Sequence, residues 1–174
     1  MNKLLCMTAA IAALTVTATP AFAVDPDQQA TANARIIKPL ILEHRADLDF
    51  GTIVLSGAGA WTGAVIDVDQ DGTFTCTNIN VVCSGTTSPA VYNLQGTNQQ
   101  DVDITVSSTI DLANLTDPTA PALVMTVDAP ATVQLTTSGV SGTDFGIGGT
   151  ISVDSTTVDG VYEGVFDVTA DYAG

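Results

Sequence analysis

The stretch "DVDQDGTFT", residues 67–75, sets three carboxylates at alternate positions, Asp67, Asp69 and Asp71, just before Gly72. D-x-D-x-D-G is the first half of a calcium loop, in which alternate oxygens converge on one ion. That loop needs glutamate at its twelfth position, where this chain has Asn78, and helical flanks, which the pattern does not offer. The same residues suit a hairpin turn, since Asp-Gly is a tight-turn dipeptide. The expectation is therefore a turn. Calcium at Asp67, Asp69 and Asp71 is the weaker reading, and no other cofactor is expected.

Cys76 and Cys83 stand in "FTCTNINVVCSG" with six residues between them. The spacing fits no zinc site, and no histidine lies nearby to complete one. A short disulfide across one hairpin is expected. No cation is close enough to make either thiol reactive. His44 is the only histidine, in "LEHRAD", and the chain has no G-x-S-x-G nucleophile turn to go with it. "GVSGTDFGIGG" is glycine-rich but lacks the lysine and following helix of a phosphate cradle. Acids are many, yet no pair can be singled out for glycoside hydrolysis, which works in aromatic clefts. The chain reads as a non-enzyme.

The elements that hold these residues read as strands. Candidates are "ATANARII", "PLILEH", "ADLDFGTIVL", "GAVIDVD", "TFTCTN", "AVYNLQG", "DVDITVS", "ALVMTVD", "TVQLTTS", "GGTISVDS" and the closing "GVYEGVFDVTADYAG". Valine, isoleucine and threonine dominate, as half-buried strands require. So many short strands predict an all-β, immunoglobulin-like antiparallel sandwich. Trp61, Tyr92, Phe50, Phe74, Phe145 and Phe166 are its expected aromatic anchors. Residues 115–121 and 137–149 read as loops.

Residues 1–23 have Lys3, an apolar run and a small-x-small end at Ala21-Phe22-Ala23, the pattern of a secretory signal peptide. Export is expected, with no transmembrane span. Residues 24–29 read as a flexible leader and 30–174 as one domain. The net charge is −15, and no lysine or arginine follows Arg45. Such a surface repels phosphate and excludes nucleic acid as a partner.

In the closing segment Tyr162, Gly164, Phe166, Val168, Ala170 and Tyr172 share one face. The chain stops two residues later, leaving an apolar-faced strand in search of a second neighbour. Near the other end, Ala30, Ala32, Ala34 and Ile36 form a thin apolar edge opposite Thr31, Asn33 and Arg35. An edge of that kind fits a groove as an added strand.

"ATANARIIKPLILEHRADLDFGTIV" and "GIGGTISVDSTTVDGVYEGVFDVTADYA" resemble a proteobacterial secreted family known as domain of unknown function 4402. "LDFG" and the closing "GVYEGVFDVTADY" also resemble spore coat protein U domains, subunits of archaic chaperone–usher pili. The resemblance implies a sandwich whose last strand is supplied by a neighbour. Ala30, Ala32, Ala34 and Ile36 would be the donor face, while Tyr162, Phe166, Val168 and Tyr172 would line the interior beside the groove. It implies copies of the chain as partners, with a periplasmic chaperone and an outer-membrane usher, and a role in a pilus, fimbria or adhesive layer. The compartment it implies is the periplasm, surface or exterior of a Gram-negative cell. The alternative is a monomeric periplasmic or extracellular binding module, with calcium, in which 30–37 pairs with 160–172 of its own chain.

Overall fold

In a computed structural model, which describes residues 28–57 and 59–174, every regular element is a β-strand and every ladder is antiparallel. The expected signal peptide, residues 1–23, and residues 24–27 of the leader lie outside the described residues. The chain divides into two units, Met1–Arg35 and Ile36–Gly174, and all strands among the described residues belong to the second.

The strands are β1 (Ile41–Ala46), β2 (Thr52–Leu55), β3 (Ala64–Val68), β4 (Phe74–Cys76), β5 (Val81–Ser84), β6 (Ala90–Gln95) and β7 (Asp101–Val106). After them come β8 (Thr109–Asn114), β9 (Leu123–Asp128), β10 (Thr132–Gln134), β11 (Thr143–Val153), β12 (Tyr162–Glu163) and β13 (Val168–Tyr172). A large sheet runs β1-β6-β11-β9-β8-β12, with β3 on β11 and β4 on β3. Two smaller pieces stand apart, the sheet β10-β7-β13 and the ribbon β2-β5.

Alternation along the strands supplies two apolar clusters. One joins Ile66, Met125, Ile151 and Val153 of the large sheet to Val81 of the ribbon. The other joins Leu94, Phe145 and Ile147 to Val102 and Ile104 of the three-stranded sheet. Phe50, Trp61 and Phe74 pack on the first cluster, Tyr92 belongs with the second, and Phe166 touches both. This is the expected antiparallel β-sandwich.

Three expectations are corrected. Residues 28–40 carry no strand, so "ATANARII" forms none here. Its alanines offer one methyl each, too little apolar area to hold a strand without neighbours. Residues 137–149 are not one loop, because β11 begins at Thr143. The glycines there serve close packing: a Cβ on Gly148 would lie 2.6 Å from the Asp69 carbonyl carbon, and one on Gly146 would strike the Gln70 carbonyl oxygen. The closing segment is not one strand. Residues 164–167 leave the ladder, so that β12 pairs with β8 of the large sheet and β13 with β7 of the other.

Candidate functional site

The hairpin between β3 and β4 holds the three spaced aspartates. Gly72 donates to the Asp69 carbonyl at 3.1 Å, and Asp69 donates to the Thr73 carbonyl at 3.0 Å. Gly72 has φ +83°, the left-handed residue that closes a three-residue hairpin loop with a bulge. The Asp69 carboxylate accepts the amides of Asp71 (3.2 Å) and Thr73 (2.9 Å), so it works for the turn. Asp67 instead accepts the Thr150 hydroxyl from the neighbouring strand. A hydrogen bond shared between Asp69 and Asp71 lowers the pKa of the first and raises that of the second. Among the described residues no three acidic, histidine or cysteine side chains gather as metal ligands.

Cys76 and Cys83 are bonded, with Cα atoms 6.3 Å apart. The bond does not cross a hairpin, as the sequence suggested. Strand β4 pairs with β3 and β5 pairs with β2, so the disulfide ties the ribbon to the large sheet. His44 is half-exposed, 3.1 Å from Asp47, with its ring edge-on to Tyr92 at 5.2 Å. Burial, then the charges of Asp47 and Asp167, push the Tyr92 hydroxyl pKa up.

Among the described residues lies a groove of about 1140 Å³. One wall is residues 47–55, ending in β2, and the other is residues 157–166, including β12. Its floor is the inner face of the large sheet, with Leu112, Leu123, Met125, Ile151 and Val153. Tyr162 and Phe166 line it. Gly164 lets that segment pass close to β8, since a Cβ there would lie 2.7 Å from Leu112 and 2.8 Å from the Asp111 carbonyl. The Tyr162 hydroxyl donates to the Val158 carbonyl at 2.7 Å and folds the wall over itself.

Val168, Ala170 and Tyr172 continue the same face into the second apolar cluster. Among the described residues β1 has one ladder neighbour, β6; β2 has one, β5; β12 has one, β8; and β13 has one, β7. The groove is therefore bordered by strands with a free edge. At the far end of β1 and β13 the chain is pinned. The Tyr172 hydroxyl donates to the Lys38 carbonyl and accepts the Thr97 amide, while the Lys38 amide donates to the Thr97 hydroxyl. Nothing in the sequence marked Thr97 or the wall 47–51 as part of such a site.

Ala30, Ala32 and Ala34 lie in the first unit, outside any strand and exposed. Ile36 begins the second unit and is 91% exposed.

Fold and groove together define an antiparallel β-sandwich with free strand edges beside an apolar floor. The chain belongs to the family described as Domain of unknown function (DUF4402), whose family model matches residues 40–172. No curated protein and no solved structure matches the chain. No described helix is long and apolar enough to cross a membrane.

Proposed function

We propose that the protein is an exported structural subunit of a cell-surface fibre or adhesive layer, assembling by donor-strand complementation. Residues 30–37 of one copy enter the groove of the next, with Ala30, Ala32, Ala34 and Ile36 facing the floor. The carrying observation is the groove itself, an apolar floor between walls whose strands each keep a free edge. A free edge of this kind is an aggregation hazard that exported proteins cover. An added strand covers it with ladder hydrogen bonds and buried side chains. The groove volume also exceeds the usual range of small-ligand pockets, up to roughly 1,000 Å³.

Ile36 supports the same reading. A large aliphatic side chain left in water gives up about 1.5–3 kcal/mol that burial would return. Head-to-tail insertion does not close on itself, so it builds filaments. A periplasmic chaperone that shields the groove and an outer-membrane usher are the partners this mechanism calls for. The alternative, a monomeric calcium-binding module, has less support, because Asp69 is occupied by its own turn.

The test is the mature chain on SDS gels with and without heating, over a range of protein concentrations. A ladder that grows with concentration, collapses on heating and disappears in Ile36→Asp is the expected result. A monomer at every concentration, indifferent to residue 36, refutes the proposal.

A further inference from the structure

Strand pleating fixes more about such a joint than its apolar face. If Ala30, Ala32, Ala34 and Ile36 face the floor, then Thr31, Asn33 and Arg35 face outward. On the accepting wall Tyr162, Gly164 and Phe166 are the half-buried positions, and Val161, Glu163, Val165 and Asp167 are the exposed ones. Outward residues of paired strands share one face and meet as cross-strand neighbours. Arg35 therefore comes to lie on the face that carries Glu163 and Asp167.

The distribution of charge points the same way. No lysine or arginine follows Arg45, so those two acids have no cation on their own strand or on any strand after β1. The groove's other border is acidic too, with Asp47 and Asp49. Two copies of a chain of charge −15 repel one another on approach. The extension, residues 30–37, carries one of this acidic chain's few cations, Arg35.

We propose that Arg35 of the inserted segment pairs with Glu163 and Asp167 of the receiving copy, fixing the register of insertion and selecting this chain's own extension. This rests on the donor-strand reading of the groove and names the polar contact that makes it specific. The partner is a second copy of this chain. An apolar extension without a cation at this position is rejected by the rim.

The experiment uses full mature chains, with the oligomer population read by native mass spectrometry at low and high salt. Arg35→Glu alone, and Glu163→Lys with Asp167→Lys alone, each weaken assembly at low salt by on the order of ten-fold, as loss of an opposite-charge pair plus a new repulsion implies. Combining all three reversals in one chain restores it. High salt narrows the differences, because exposed pairs are screened. Ile36→Asp separates the two ideas. If Arg35→Glu assembles like the parent at low salt while Ile36→Asp does not, the charge pairing is wrong and the groove reading stands. If Ile36→Asp also assembles like the parent, both fall.

Discussion

The Tyr172 hydroxyl lies 2.9 Å from the Lys38 carbonyl oxygen and 2.9 Å from the Thr97 amide, joining the last strand to the root of the N-terminal segment and to the end of β6. Strands β1 and β13, each with one ladder neighbour among the described residues, meet at this clamp. Gly96 makes room for it, since a Cβ there would run into the Tyr172 hydroxyl and lie 2.8 Å from Leu135. Tyr172→Phe keeps the ring in the second cluster and removes both bonds. It should cost about 1–2 kcal/mol, the usual worth of one or two such bonds. Urea unfolding measures the loss, and faster amide exchange at Thr97 would place it at the clamp.

The disulfide joins two sheets, so its removal should loosen one of them first. Replacing Cys76 and Cys83 together by alanine should cost roughly 2–3 kcal/mol, the loop-closure figure for so short a span. Hydrogen exchange should rise in β2 and β5 before it rises in β6 or β11. A uniform rise would mean that the ribbon is held by its apolar contacts alone.

Acid should act through loop carboxylates, Asp154 and Asp117 as well as Asp69 of the β3–β4 turn. The Asp154 pKa is lowered from 3.8 first by the Thr156 hydroxyl and then by the Thr156 amide, against some burial. The Asp117 pKa is lowered in the same way by Thr119. A depressed carboxyl pKa stabilises the fold above the unfolded value, and that contribution is lost as pH falls from about 3.8 through the folded pKa. Thr119→Val with Thr156→Val should therefore raise both pKa values toward normal and flatten the acid limb of the stability curve. Carbon-detected NMR titration of the two carboxyls checks it.

Gly148 sits where the end of β3 leans on β11, with the Val68 carbonyl and Asp69 backbone against its α-carbon. Gly148→Ala should destabilise by about 1–3 kcal/mol, as overpacking in a fixed backbone does. Gly139→Ala is a contrast in which the effect comes from φ +101° alone, because a Cβ there meets nothing within 4 Å. Thermal unfolding of the two variants separates crowding from backbone conformation.

The fold class was legible because alternation of valine, isoleucine and threonine survives along most strands. Two strands were not read from the sequence. β5 is only Val81–Ser84 and includes Cys83, and β8 carries Asp111 among its apolar residues and ends on Asn114. Asn114 is buried, yet its amide donates to the Asp159 carbonyl and its oxygen accepts two loop amides, so a polar residue ends an inward face. The inward face of Tyr162, Phe166, Val168 and Tyr172 was legible, but the switch of sheets between Glu163 and Val168 was not. Alternation carries on through 164–167 while the hydrogen bonds do not. The groove could be suspected from the apolar face of residues 162–172. Its other wall, 47–55, depends on a ribbon whose position is set by tertiary contacts and by a disulfide between sheets.

The most direct test of the account places a photo-crosslinking benzophenone side chain at Ile36 in the full mature chain. Light and heavy isotope-labelled copies are unfolded together, refolded as a mixture, irradiated and digested. The account predicts light–heavy cross-links from residue 36 onto residues 157–172. Cross-links confined to light–light and heavy–heavy pairs in a monomer would contradict it, placing the extension in its own domain.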